Sequence, residues 1–250
     1  MKIIDAHIHL NPSDASPVSS LLHQMDSNSI EKAMLILNVQ EEYEAFNKDV
    51  ASYSLNKDRF WVATGLNIHE QSSIRQTERF IKDGVASCIK IHPHLFCLSK
   101  DDIPAVIEAI SNYETPVIID ALYYGQEIEY HNGVEYSVSI GRAFPDRNVV
   151  VAHAGSLDFL KCMMATRYMK NVFYDYSFIQ SFFNRTSLRL DMVDFLRRTT
   201  NKIMWGSDAP SFPIDKALDD FMSIEEESGI KKEQLQDVLY NNALKVYGTG

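Results

Sequence analysis

MKIIDAHIHL, residues 1–10, combines a strand pattern with two histidines in one short stretch. Successive side chains of a strand point to opposite faces, so these residues form one apolar and one polar face. The apolar face is expected to pack against helices and consists of Ile4, Ala6, Ile8 and Leu10. The opposite face consists of Ile3, Asp5, His7 and His9. Imidazoles one strand repeat apart, roughly 6–7 Å, are close enough to share a metal ion at about 2.0–2.1 Å each.

The rest of the chain repeats this kind of segment, and amphipathic helical patterns lie between the repeats. The predicted strands are residues 2–9, 33–38, 60–66, 86–92, 116–121, 148–153, 172–176 and 202–206. Runs such as VIID and NVVVAH are almost continuously β-branched. Such runs are typical of parallel strands that are buried on both faces.

Strands that alternate with helices over 250 residues predict an α/β protein with a (β/α)8 TIM barrel. We expect a single domain, residues 1–250, with a helical extension after the last strand. The competing topology is a doubly wound open sheet, which usually has a glycine-rich phosphate loop after its first strand. That position holds HLNPSD here, and Gly65 is the first glycine of the chain, so the barrel is favoured.

Composition limits the partners. The net charge is −10 without a basic cluster, which argues against binding to nucleic acid or to an anionic membrane. No apolar run approaches the roughly 18 residues that span a bilayer, and the N-terminus does not read as a secretory signal. The three cysteines have no CxxC spacing and predict no disulfide framework. A reducing cytoplasm is therefore the expected location.

In a barrel of this type the chemistry lies at the carboxyl ends of the strands. The polar residues at the predicted strand ends are His7, His9, Lys90, His92, His94, Asp120, His153, Asp175 and Asp208. Five of the eight histidines are in this set, which a random scatter would not produce. Simpler roles stay open for some members: Lys90 pairs with a carboxylate, His92 or His94 caps a loop, and Asp175 is a structural hydrogen-bonding residue.

The chain resembles the amidohydrolase superfamily, specifically its amidohydrolase-related branch of metal-dependent hydrolases, lactonases and decarboxylases. The resemblance covers the whole chain and rests on DAHIHL, IKIHP, VVVAHAG, MWGSDAP and the terminal NNALKVYG. It implies one divalent metal ion, with zinc as the first choice and manganese or iron as alternatives. By this pattern His7, His9 and Asp208 are metal ligands, and His153 polarises the substrate or contacts the nucleophilic water.

One position departs from the family pattern, because the fifth strand normally supplies a histidine ligand and this chain has Asp120 there. Three outcomes are open. Asp120 binds the metal itself, at about 2.0–2.2 Å from zinc; or Asp120 is too short and water fills the gap; or His92, His94 or a carboxylated Lys90 takes over. The first is the expectation adopted here, so the predicted ligand set includes Asp120.

The resemblance also implies catalytic roles. Asp208 would act as general base and then general acid, and His153 would stabilise the developing oxyanion. Lys90 would supply a positive charge for a substrate carboxylate or for the same oxyanion. Asp5, two residues before His7, is predicted to orient a histidine ligand.

Two loops give weaker evidence about the type of substrate. The segment 122–134 after the fifth strand contains Tyr123, Tyr124, Tyr130 and His131, and the segment after the seventh contains Phe178, Phe182, Phe183 and Arg185. These residues form either an aromatic wall with a cationic end or simple packing over the barrel, and the longer segment is alternatively a lid.

The leading hypothesis is a metal-dependent hydrolase that cleaves a C–N or C–O bond, as in an amide or lactone, of a small cyclic or aromatic carboxylate. A metal-dependent decarboxylase on the same scaffold is the alternative, and a metal-free binding barrel or pseudo-enzyme is the third. A small-molecule substrate is the expected partner, and a homodimer is left open.

Overall fold

The computed structural model describes residues 1–248, and in that part of the chain eight parallel strands pair in sequence order. The strands are β1 (Ile3–Ile8), β2 (Ile30–Leu37), β3 (Phe60–Gly65), β4 (Cys88–Ile91), β5 (Val117–Ile119), β6 (Val149–Val151), β7 (Val172–Asp175) and β8 (Ile203–Met204). All eight predicted strands are confirmed, although β4, β5, β6 and β8 are each shorter than the sequence pattern indicated.

The helices fill the connections between strands. They are α1 (Pro17–Ser27), α2 (Gln40–Lys48), α3 (Val50–Leu55), α4 (Gln71–Lys82), α5 (Ile103–Ile110), α6 (Gly133–Ala143), α7 (Phe159–Thr166), α8 (Ile179–Phe182), α9 (Leu188–Thr199), α10 (Ile214–Ser228), α11 (Lys232–Gln236) and α12 (Asn242–Tyr247). Every helix within residues 1–248 is too short or too polar to cross a bilayer.

Backbone hydrogen bonds close the sheet into a barrel between its last and first strands. Ala6 N–H donates to the Trp205 carbonyl at 3.0 Å, and the Asp208 N–H donates to the His7 carbonyl at 2.9 Å. The His9 N–H donates to Ala209 at 2.8 Å just beyond. The predicted (β/α)8 barrel is therefore confirmed, and these bonds hold the His-x-His segment beside the segment that contains Asp208.

The core consists of two apolar layers. The inner layer fills the barrel with small and medium side chains, among them Ile4, Ala6, Met34, Ile36, Ala63, Cys88, Ile118, Val150 and Met204. The outer layer lies between the strands and the helices. In the C-terminal extension, Ala243, Val246 and Tyr247 of α12 pack against the inner layer, and the Tyr247 ring lies 5.6 Å from the ring of Trp61 at the start of β3. The extension therefore closes the end of the barrel opposite to His7 and His9.

Strand β1 does not alternate as the sequence predicted. Ile4 and Ala6 belong to the inner layer, whereas Ile8 and Leu10 belong to the outer one. The cause is a bulge: Asp5 pairs with Ala33 and Ile8 with Leu35, so β1 advances three residues while β2 advances two. A bulge re-aims the side chains that follow it. The expectation that one face of β1 carries all four apolar residues is thus wrong, and His7 and His9 lie at the barrel mouth because of the bulge.

Candidate metal centre at the barrel mouth

Three predicted ligands converge at the carboxyl end of the barrel. The Nε2 atoms of His7 and His9 lie 3.3 Å apart. The Oδ1 atom of Asp208 lies 3.4 Å from Nε2 of His7 and 3.8 Å from Nε2 of His9. His7 is buried, Asp208 is 7% exposed, and both border a cavity that opens at the mouth.

Each of the two imidazoles has its other nitrogen bonded to a carboxylate. Nδ1 of His7 lies 3.1 Å from Oδ2 of Asp175, and Nδ1 of His9 lies 2.6 Å from Oε1 of Glu42. An ionised carboxylate only accepts, so each Nδ1 carries the hydrogen and donates it. This leaves both Nε2 atoms directed at one another and at Asp208. Carboxylate–imidazole–metal arrangements have this form, in which the carboxylate fixes the tautomer of the ligand.

The pKa values of the two histidines reflect these surroundings. Burial, reinforced by the charge of Lys90, lowers the pKa of His7 to about 4, so the ring is neutral at pH 7. Burial also lowers the pKa of His9, but the charge and hydrogen bond of Glu42 outweigh it and the net shift is upward. Burial opposes ionisation of Asp175, yet His7 overcomes that effect and the pKa of Asp175 falls to about 2.

The donor set fits a divalent metal ion. Ligand atoms at about 2.0–2.2 Å around a tetrahedral ion lie roughly 3.3–3.6 Å from one another. The three separations here, 3.3, 3.4 and 3.8 Å, are close to that range. Two imidazole nitrogens and a carboxylate oxygen that face each other at this distance are stabilised by a positive charge between them, which a divalent ion would supply.

The backbone around the site is locally strained. Asp208 has φ of 59° and His153 has φ of 56°, in the left-handed region that non-glycine residues rarely adopt. Strain of this kind persists where the surrounding structure enforces it, and it concentrates at functional sites. Gly206 permits the close approach of the β8 segment, because a Cβ there would lie 2.9 Å from Cβ of His7.

The carboxylate of Asp5 binds backbone N–H groups and not a histidine ring. Its Oδ1 accepts the N–H of His7 at 3.1 Å and that of Ser207 at 2.9 Å. Burial raises the pKa of Asp5 to about 7. Through these two backbone contacts, Asp5 holds β1 against the segment after β8. Asp175, and not Asp5, contacts the ring of His7 and orients it.

Asp120 lies at the mouth but outside the group formed by His7, His9 and Asp208. Its Oδ2 is 2.9 Å from Nζ of Lys90 and 3.2 Å from Nε2 of His153. Its Oδ1 accepts the N–H of Leu122 at 3.0 Å. Burial opposes ionisation of Asp120, but the neighbouring His92 and Lys90 outweigh it and hold the pKa well below its usual value. The carboxylate that was predicted as the fourth ligand is thus bound to an ammonium and an imidazole.

Lys90 forms the ion pair with Asp120 but makes no side-chain hydrogen bond within residues 1–248, and both nitrogens of His92 have partners. Lys90 is fully buried beneath the mouth. Nδ1 of His92 accepts the Leu95 N–H at 3.2 Å, and burial lowers the pKa of His92 to about 4. The neutral ring therefore carries its hydrogen on Nε2, which faces the Tyr124 hydroxyl at 3.2 Å. Neither residue offers a free lone pair to an ion, so the structure does not support the alternative in which one of them takes over from the missing histidine.

His153 is held from three sides. Its Nδ1 donates to the Ser177 carbonyl at 3.0 Å, and its backbone N–H donates to Oδ1 of Asp175 at 3.1 Å. Burial lowers the pKa of His153, but the charge and hydrogen bond of Asp120 outweigh it and raise the pKa to about 9. The ring is therefore a positively charged donor that lines the mouth cavity.

The aromatic segments are only partly at the mouth. Tyr124 borders the cavity, which has a volume of about 260 Å³. The Phe178 ring lies 6.1 Å from the His153 ring but packs on Phe182 and Phe212 instead of lining the cavity. Arg185 is exposed away from the cavity wall. His94 packs between Tyr124 and His131, with ring centroids 4.4 and 5.0 Å away.

The sequence interpretation missed Glu42. This residue lies in the first turn of α2, directly after β2, and one carboxylate performs two tasks. Oε1 accepts from His9, and Oε2 accepts the N–H groups of Asn38 at 2.5 Å and Val39 at 3.1 Å. The available signal was the segment NVQEE, which follows a predicted strand at the catalytic end of the barrel.

With this geometry established, a comparison with family models gives one match, described as Amidohydrolase, over residues 4–249. The chain belongs to the amidohydrolase family. The resemblance seen in the sequence is therefore confirmed, and this amidohydrolase can be compared with solved structures of the same fold. A comparison with curated proteins finds no match.

Solved structures show the same architecture at low identity. The uncharacterised TIM-barrel protein Bb4693 from Bordetella bronchiseptica is 16% identical with a TM-score of 0.78, over 99% of each chain. The inactive dihydroorotase-like domain of a CAD-like multifunctional protein from Chaetomium thermophilum is 11% identical with a TM-score of 0.69, over 99% of this chain and 79% of that one. Dihydropyrimidinase from Brevibacillus agri is 10% identical with a TM-score of 0.65, over 98% and 70%. At these identities the likeness establishes the fold only.

Proposed function

We propose that this amidohydrolase is a metal-dependent hydrolase that cleaves a C–N or C–O bond, as in an amide or lactone, of a small molecule. The observation that carries the proposal is the convergence of Nε2 of His7, Nε2 of His9 and Oδ1 of Asp208, with both Nδ1 atoms bound to carboxylates. These three residues would hold one divalent ion, with zinc as the first choice because imidazole and carboxylate suit it. Manganese and iron are the alternatives.

When bound, a divalent ion supplies Lewis acidity, which polarises a carbonyl group and makes water more acidic. The other tasks fall to side chains of this chain. Asp208 borders the cavity and is proposed to take the proton from the attacking water and return it to the leaving group. The N–H groups of His153 already donate to Ser177 and Asp120, so the ring is proposed to stabilise the negative charge that develops on the substrate oxygen through its positive charge.

Asp120 and Lys90 receive a supporting role in this proposal. Asp120 keeps His153 charged through the 3.2 Å contact, and Lys90 in turn balances the charge of Asp120. The ligand role that the sequence predicted for Asp120 is not adopted, because its Oδ2 already accepts a hydrogen bond from His153 and forms an ion pair with Lys90. The catalytic role predicted for Lys90 is likewise replaced by one of charge compensation.

The experiment is a metal analysis coupled to an activity screen. Protein purified without chelator is expected to contain about one divalent ion per chain and to hydrolyse members of a lactone and cyclic-amide panel. Dialysis against dipicolinate should abolish hydrolysis, and added zinc or manganese should restore it. A metal-free protein that takes up neither ion would contradict the proposal and favour a metal-free binding barrel. Release of carbon dioxide without hydrolysis would favour the decarboxylase instead.

A further inference from the structure

Among residues 1–248, the lysine at the mouth is Lys90, and it does not face the cavity. Lys90 has no exposed surface, and its ammonium lies 2.9 Å from Oδ2 of Asp120. It is also missing from the residues that line the mouth cavity. The charge that the sequence assigned to a substrate carboxylate is therefore already taken up inside the protein.

The charges around the mouth do not favour an anion. Glu42, Asp120 and Asp208 line the cavity, and Asp175 lies directly behind it. With Lys90 and a divalent ion counted against these four carboxylates, the site has no excess positive charge, whether or not His153 carries a proton. An anionic substrate would therefore enter a site without net positive charge to balance its own.

A second cavity continues from the mouth and offers hydrogen bonds. We call it the side cleft; it has a volume of about 300 Å³ and shares Asn38, Val39 and Leu95 with the mouth cavity. Its polar wall is composed of amides and hydroxyls: Asn38, Gln40, Asn67, Ser72, Ser73 and Gln76. The charged side chain in this wall is Glu70, which again is negative.

Two amides of the side cleft are available to a ligand. Oδ1 of Asn38, where the two cavities join, is buried and has no hydrogen-bond partner within residues 1–248. Buried polar atoms are normally paired, so such an atom calls for an explanation. Gln76 projects from α4 into the same cleft and makes no side-chain hydrogen bond to a described residue.

We infer that the substrate is uncharged: a neutral amide or lactone whose reacting end enters the mouth, and whose amide- or hydroxyl-bearing tail lies in the side cleft against Asn38 and Gln76. This inference rests on the proposed function and narrows it. It replaces the carboxylate that the sequence led us to expect. It also favours hydrolysis over decarboxylation, since the substrate of a decarboxylase carries a carboxylate by definition.

A matched pair of hydroxamates tests the charge of the substrate. The ligands are succinic monohydroxamate with a terminal carboxylate and its counterpart with a terminal primary amide, with acetohydroxamate as the tail-free reference. Isothermal titration of the zinc-loaded protein is expected to show at least about tenfold tighter binding of the amide-terminated ligand than of the carboxylate. Equal or tighter binding of the carboxylate would overturn the inference and leave the metal site intact. Failure of all three hydroxamates to bind would overturn the metal site as well.

A pair of variants on one helix tests the side cleft. Gln76→Ala is expected to weaken binding of the amide-terminated ligand by about three- to tenfold, the loss of one neutral hydrogen bond, while binding of acetohydroxamate stays unchanged. Glu78→Ala, two residues away on the exposed face of α4, should change neither affinity. An unchanged affinity of the amide-terminated ligand in Gln76→Ala would overturn the assignment of the tail to the side cleft.

Discussion

Both halves of the barrel mouth contain histidine and aspartate, but they differ in which side-chain atoms are left without a partner. In one half, His7, His9 and Asp208 direct ring nitrogens and a carboxylate oxygen at a common point. In the other half, Asp120 is bound to Lys90 and His153. We call these the open half and the closed half.

The difference shows that the partners of a histidine or aspartate, more than its residue type, decide whether it can hold a metal. In the open half, Asp175 and Glu42 bind the far side of each ring and leave the near side available. In the closed half, the Lys90 ammonium lies beside Asp120 in the place that a metal ion would otherwise take. Metal binding should therefore depend on the open half. The free energy of unfolding and the charge that a substrate can carry should depend on the closed half.

The largest expected effect is on the open half. His7→Ala should reduce the metal content from about one ion per chain to near zero and lower activity by at least about a thousandfold, because a ligand and its Lewis acid are lost together. Elemental analysis and the hydrolysis assay measure both. His69→Ala, at a half-exposed histidine outside the mouth, is the control and should retain metal. Full metal content in His7→Ala would contradict the division into two halves.

Substitutions in the closed half should lower the free energy of unfolding. Lys90→Met leaves Asp120 buried without its ammonium, so the free energy of unfolding should fall by about 3–5 kcal/mol in urea denaturation. Lys161→Met removes an exposed pair with Glu135 and should cost under about 1 kcal/mol. The double variant Lys90→Met/Asp120→Asn should recover part of the loss. Equal costs for Lys90→Met and Lys161→Met would show that the buried pair is not a structural unit.

Substitution of Glu42 should weaken metal binding less than substitution of His7. Glu42→Gln weakens the acceptor of the His9 Nδ1 hydrogen, so zinc affinity should fall by about 10–100-fold, as measured in competition with a chelating dye. The neighbouring Glu41→Gln is the control, because Glu41 is exposed on the same turn of α2. If both variants bound zinc like the parent protein, Glu42 would serve only to cap α2.

The smallest effect on metal should come from Asp120. Asp120→Asn is expected to keep the metal content within about twofold of the parent, because the carboxylate is not part of the ligand group. Elemental analysis of this variant beside His7→Ala makes the comparison between the halves direct. A loss of metal in Asp120→Asn would restore the sequence-based prediction that Asp120 is a ligand.

Much of the fold followed from the sequence because buried parallel strands leave a strong local pattern. The runs VIID and NVVVAH marked β5 and β6, and the missing glycine-rich loop favoured the barrel over the open sheet. The sequence also placed His7, His9 and Asp208 together, since the positions that follow strand ends share one end of a barrel; their role as metal ligands stays a prediction.

The remaining features depend on contacts between distant segments. The bulge in β1 arises from its pairing with β2, so strict alternation misassigned Ile8 and Leu10. Glu42 reaches His9 from another strand connection, 33 residues away. Whether Asp120 faces a metal or Lys90 depends on side-chain directions in two neighbouring strands, and a linear pattern of residue types does not specify these directions.

The most direct test of the central claim is a crystal structure of the zinc-loaded protein with anomalous data collected at the zinc edge. The account predicts one peak at the mouth, about 2.0–2.2 Å from Nε2 of His7, Nε2 of His9 and a carboxylate oxygen of Asp208, with Asp120 still bound to Lys90. A peak coordinated by Asp120 or Lys90, or no peak between His7 and His9, would contradict it.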